Sequence, residues 1–167
     1  MENAYTAIGR AVFAAQLFET AIVPVFEFFK MQTRPGYLEE TGGYVRAGAF
    51  RVPVKAIVNE LKARGQVATD LEQRLSAYVD DRNTLVHRWI MERGWPDDDD
   101  AAGFAPIIEL ARRVEGEAKA LTLIFVNYIL TYAAPEQGGD DPEEYRARIS
   151  AMFQRAHVDS KPEQHGT

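Results

Sequence analysis

Apolar residues recur at three- and four-residue steps through most of this 167-residue chain, and no stretch alternates with the two-residue period of a strand. That pattern restricts the fold to packed helices, each burying one stripe. Four long helices are predicted. The first, roughly 3–30, carries Ala4, Ile8, Val12, Ala15, Ile22, Phe26 and Phe29 on one face, and Pro24 should kink or divide it. The second begins near Pro53 and runs to about Arg64, with Gly65 ending it. The third runs from Thr69, three residues before Glu72 as in a capping box, to about Arg93, where Gly94 and Pro96 stop it. The fourth covers about 104–134, with Ile107, Ala111, Val114, Ala118, Leu121 and Phe125 on its buried side. Pro142 opens a short fifth helix. The expected architecture is all-α: an antiparallel bundle of four main helices plus a short C-terminal helix, over residues 1–158. Residues 159–167 read as a disordered polar tail.

Between the first two helices, Pro35-Gly36, Gly42-Gly43 and Gly48 break the pattern. A connection this long inside a compact domain is unusual and is often functional. Its tyrosines and arginines, Tyr37, Tyr44, Arg46 and Arg51, could lie over a site; an ordinary surface loop is the competing reading. The acidic run Asp97–Asp100 could be taken for a metal site. Four adjacent acids on one loop do not converge, so it reads as a solvated turn favouring the positive end of the next helix, and no metal is expected.

A composition of 46% hydrophobic and 26% charged residues is that of a folded domain rather than a disordered chain. The net charge of −6 excludes a general nucleic-acid coat, which needs many phosphate-neutralising cations, but not a local arginine cluster. With no cysteines and no evident signal peptide, a cytoplasmic location is expected. The apolar runs 11–29 and 121–134 read as core helices of a soluble bundle, not membrane spans.

The informative misfit is in the third helix, within Asp80-Asp81-Arg82-Asn83-Thr84-Leu85-Val86-His87-Arg88-Trp89. Arg82 falls on the apolar line Leu71, Leu75, Tyr78, Leu85, Trp89. A charge there needs a partner, because an unpaired buried charge is costly. Glu19 is a second charge on an apolar line, between Ala15 and Ile22, so the two are expected to meet. On a straight helix Arg82 and His87 lie about 140° apart. Asp80, Asn83 and His87 then form a separate stripe, towards which a long arginine side chain could reach around the helix.

This set suits RNA cleavage without a metal. The 2'-hydroxyl attacks the adjacent phosphate, one group removes its proton and another protonates the leaving 5'-oxygen. Histidine's ordinary pKa is the side-chain value nearest neutrality. Arginine can brace the phosphorane through two N–H groups, and asparagine can orient the histidine or the hydroxyl. One histidine cannot fill both the acid and the base role, but a symmetric dimer supplies a second. His157 and His165 read as exposed. Arg88 and Arg93 could extend a phosphate-binding edge.

Arg82-Asn83-Thr84-Leu85-Val86-His87 resembles the Arg-polar-x-x-x-His signature of the HEPN (higher eukaryotes and prokaryotes nucleotide-binding) superfamily. The asparagine after the arginine and the setting in a long helix of an all-α bundle are similar too. The resemblance implies a metal-independent endoribonuclease needing no cofactor, which dimerises so that two motifs share one cleft. Its partners would be RNA, a second copy of the chain and an antitoxin or regulatory protein, in toxin–antitoxin, phage-defence or RNA-processing biology. Catalytic roles then come to Arg82, Asn83 and His87. Glu19 is the supporting acidic residue from an earlier helix, with Asp80 beside the motif. One subgroup of the family carries a tyrosine two residues after the histidine. Trp89 stands there in this chain, so the regulation linked to that tyrosine is not implied. The family also contains non-catalytic members, and the alternative reading is a helical dimer that binds a protein or a nucleotide.

Overall fold

The computed structural model describes residues 3–63, 68–97 and 100–128. Among them every regular element is helical: α1 (Ala4–Thr33), α2 (Tyr37–Thr41), a 3-10 turn (Ala47–Arg51), α3 (Val54–Ala63), α4 (Thr69–Asn83), a π-helical turn (Thr84–Arg88), α5 (Trp89–Arg93) and α6 (Ala101–Tyr128). The all-α bundle expected from the sequence is what forms. The predicted fifth helix, the tail, Gly65, His157 and His165 lie outside the described residues.

The core is one cluster that includes most of the predicted stripe residues; on α1 it is centred one step away from the predicted line, on Ala7, Ala11, Ala14 and Phe18, with Ile8 and Val12 only half-buried. Phe18, Ile22, Ile57, Leu75, Ile107 and Leu121 are fully enclosed at its centre. α1 packs on α6 in the most extensive interface of the bundle. Arg10 meets Glu115 and Phe18 meets Phe125, so residue numbers rise together along the pair and these two helices run in the same direction. α4 opposes α6, with Arg74 on Glu117 and Asp81 on Arg113. The bundle is therefore antiparallel around α4 but parallel between α1 and α6. The Arg34–Pro53 connection makes this possible, because it carries the chain back beside the middle of α1 before α3 begins. One buried hydrogen bond holds its start down, to a carboxylate that a pair within α1 also engages. The Tyr37 hydroxyl donates to Glu27 at 2.7 Å, and Lys30 pairs with the same carboxylate.

Three local expectations change. α1 is not divided at Pro24. An internal proline costs about 3 kcal/mol. Val23, Val25, Phe26 and Phe29 are all buried around it, each contributing about 1.5–3 kcal/mol, so packing outweighs the lost hydrogen bond. Thr69 is not the cap of α4: Ala68 occupies that position without a side-chain bond, and Glu72 pairs with Lys62 instead. α6 starts three residues before the predicted point because Asp100 caps it, its Oδ1 accepting from the Gly103 N–H at 2.8 Å. Gly94 does end the α5 segment, at φ +74°. By length and composition α1 could also span a membrane; half of its most apolar window is buried within the bundle.

Glu115 is buried between α1 and α6 and accepts from Arg10 and Lys119. Burial alone would raise its carboxyl; the hydrogen bonds from Lys119 and Arg10 outweigh that and hold it below the ordinary carboxylate value. A group whose folded pKa is lowered stabilises the fold fully above its unfolded value, about 4.3, and loses that contribution as pH falls through the folded value. Glu115→Gln should therefore cost about 2 kcal/mol at pH 7, since Arg10 and Lys119 retain some water contact, and much less at pH 3. Urea titrations at the two pH values read the difference. An equal cost at both would remove the ion cluster from the acid response.

Candidate active site

The motif sits where α4 gives way to the π turn. The Trp89 N–H bonds to the Thr84 carbonyl, five residues back, instead of four. An i→i+5 turn stacks residues five apart, and π turns of this kind are frequent at functional sites. It brings Arg82 and His87 onto one face: Arg82 Nη1 lies 3.2 Å from His87 Nε2 and 3.2 Å from Asn83 Oδ1. The 140° separation of a straight helix is thus overturned by backbone geometry, not by an arginine reaching around.

The expected partner is present. Arg82 Nη2 donates to Glu19 Oε1 at 2.8 Å, joining α4 to the middle of α1. Arg82 and Glu19 are each about one-third exposed, whereas His87 is exposed. Four side chains therefore form a connected set, Glu19–Arg82–Asn83 and Arg82–His87, open to solvent on the histidine side. Beneath it, Tyr78 is buried, and among the described residues neither its hydroxyl nor Arg82 Nε has a hydrogen-bond partner. Burial pushes the Tyr78 phenol up, with Glu19 adding to the shift and Arg82 opposing it, so the hydroxyl stays protonated. At about one-third exposure the Glu19–Arg82 pair should couple by only about 1 kcal/mol. A double-mutant cycle with Glu19→Ala and Arg82→Ala in urea measures that value. Coupling near zero would show that the pair does not hold the motif.

The other predicted site residues fall elsewhere. Asp80 is exposed, and its contribution is its carbonyl: it accepts from Thr84 Oγ1 at 2.8 Å and from Arg88 Nη2 at 3.0 Å. Among the described residues, no hydrogen bond or ion pair joins the Asp80 carboxylate to the motif. Arg88 folds back along its own helix onto Thr84 and Asp80, where it supports the backbone at the π turn. Arg93 lies over the Trp89 ring, 5.1 Å from its centroid, and lines a separate depression with Asp81, Thr84 and Arg113. Neither arginine extends the Arg82 surface. Arg51 and Lys55 line the same cleft as Arg82, of about 410 Å³. The sequence signalled Arg51 only as one of four loop residues, and the fold separates those four. Tyr37 is buried, Tyr44 is exposed, Arg46 pairs with Glu40, and Arg51 faces the cleft.

Comparison of the chain with models of known protein families, with curated proteins and with solved structures finds no match in any of the three.

Proposed function

We propose that the protein is a metal-independent endoribonuclease of HEPN type whose active site is completed by dimerisation. The observation that carries this reading is the π turn, which sets His87 against Arg82 and Asn83 on an open face. The π turn places an imidazole beside a guanidinium, an arrangement that suits proton transfer at a phosphate, and such turns are frequent at functional sites. In this mechanism one His87 takes the 2'-hydroxyl proton as the 2'-oxygen bonds to phosphorus. The P–O5' bond breaks, and a second His87, from the other copy, protonates the leaving 5'-oxygen. Arg82 neutralises the phosphorane charge. The products are a 2',3'-cyclic phosphate and a 5'-hydroxyl.

The surface beside His87 favours a second copy. Val86, Ile90 and Met91 are exposed on the same helical run, Met91 at 86%. Apolar side chains at this spacing next to a half-complete site suit an isologous contact. The experiment is incubation of purified protein with single-stranded RNA in EDTA. Cleavage leaving 2',3'-cyclic phosphate ends supports the reading, and products with other ends, or cleavage abolished by EDTA, oppose it.

A second reading, a non-catalytic helical dimer, is favoured by one contact. Glu19 already occupies one edge of the Arg82 guanidinium, as it would in a structural ion pair. It predicts a dimer that binds its partner without cleaving RNA.

A further inference from the structure

The cleft beside the motif has two unlike walls. One comes from the return loop and the start of α3: Phe50, Arg51 and Lys55. The other comes from α1 and α4: Glu19, Tyr78 and Arg82, with Asn83 at its edge. Arg51 and Lys55 are exposed and, among the described residues, neither is ion-paired. Arg51 precedes and Lys55 lies in the first turn of α3, where the Val54 and Lys55 N–H groups come before the first bonded one, Ala56 donating to the Pro53 carbonyl at 2.9 Å, and where the helix dipole favours an anion. Phe50 leaves about half of its surface exposed on the rim. A second, independent feature points to a ligand. Tyr78 lines the cleft, is only 3% exposed, and carries a hydroxyl that, among the described residues, has no hydrogen-bond partner, close to both Glu19 and Arg82. A buried donor without an acceptor is costly, and an entering phosphate or ribose oxygen would supply one.

We propose that this cleft is the substrate subsite of the motif, holding one nucleotide of single-stranded RNA next to the cleaved bond; the proposal rests on the ribonuclease reading. The phosphate lies between Arg51, Lys55 and the start of α3. The base stacks on the exposed ring of Phe50, as unpaired bases do on aromatic side chains. Continuity with Arg82 carries the strand from this phosphate to the reacting one. The cleft thus gives an acidic chain a local cationic track, where its net charge of −6 would otherwise repel RNA.

The test measures binding apart from cleavage. A fluorescent 2'-O-methyl oligoribonucleotide of mixed sequence, which has no free hydroxyl to attack, is titrated with the full chain over a range of salt. Arg51→Ala/Lys55→Ala should weaken binding about tenfold and lower the slope of log K against log salt by about 0.7, the value for one lost phosphate contact on a single strand. Phe50→Ala should weaken it about tenfold with the slope unchanged. Arg74→Ala, on the α6-facing side of α4, should change neither. All four positions are exposed, so folding is retained, and circular dichroism checks it. Binding within twofold of wild type in Arg51→Ala/Lys55→Ala overturns the subsite. So does an affinity for free adenosine monophosphate equal to that for the oligonucleotide. Binding that follows the expected pattern while unmodified RNA stays intact keeps the cleft as an RNA site and removes the ribonuclease. Cleavage of unmodified RNA with binding unaltered by the double substitution removes the cleft and keeps the ribonuclease.

Discussion

Replacing His87 with alanine should reduce RNA cleavage by about 10²–10⁴-fold, the usual contribution of a positioned proton-transfer group. The imidazole is exposed, and its hydrogen-bonding contact among the described residues is the 3.2 Å approach to Arg82 Nη1. Its removal therefore changes stability by no more than about 0.5 kcal/mol, which is ordinary for a surface side chain. Lost activity cannot then be attributed to unfolding, provided the thermal midpoint is measured on the same sample. Arg82→Ala should lose as much activity but also some stability, since it leaves Glu19 without its partner. The contrast between the two variants separates chemistry from scaffold. If RNA is cleaved equally by wild type and His87→Ala, the histidine has no catalytic role and the helical-dimer reading gains.

The second large effect is on folding. Phe18 is fully buried. It meets the Tyr78 ring edge-on, centroids 5.0 Å apart at 83°, and the Phe125 ring at 5.8 Å. Phe18→Ala should cost about 3–5 kcal/mol, combining lost transfer energy with the cavity left between α1, α4 and α6. Against a typical domain stability of about 5–15 kcal/mol this is at least about a fifth of the total. The thermal midpoint should fall by roughly 6–20 °C. Phe13, on the same helix but 45% exposed, provides the control: Phe13→Ala should cost less than about 1 kcal/mol. A cost below 1 kcal/mol at Phe18 would mean that the three helices do not close on that ring. The effect reaches the motif as well, because Phe18 holds Tyr78 one turn before Arg82 and adjoins Glu19 in sequence.

What sequence could and could not reach is clearest at individual residues. Helical stripes are a local signal, repeated every three or four residues, and they place Ile22, Leu75, Ile107 and Leu121 in the core correctly. A charge on such a stripe is legible for the same reason: burial demands a partner. Two misplaced charges of opposite sign, Glu19 and Arg82, were therefore enough to anticipate a contact across 63 residues. A third such charge, Glu27, gave no comparable warning although it is 1% exposed, because its partners are Lys30 in its own helix and a loop tyrosine. Arg88 and Arg93 show the opposite failure. Their spacing suggests a cationic edge, yet one is used by its own helix and the other by Trp89.

The residue pattern by itself determined an all-α bundle, the buried faces of its long helices and the pairing of Glu19 with Arg82, because periodicity and the cost of buried charge act through residue type alone. Tertiary structure decided the rest. Periodicity carries no direction, so only the path of the Arg34–Pro53 connection could make α1 and α6 parallel and bring Arg51 and Lys55 to the cleft that Arg82 lines. Nor does a straight-helix rule foresee a register change. The π turn at Thr84–Arg88 is held by bonds to the Asp80 carbonyl and by the burial of Leu85 within it and Trp89 just after it. Keeping both of those residues in the core while adding one residue to the turn is what moves His87 onto the face of Arg82.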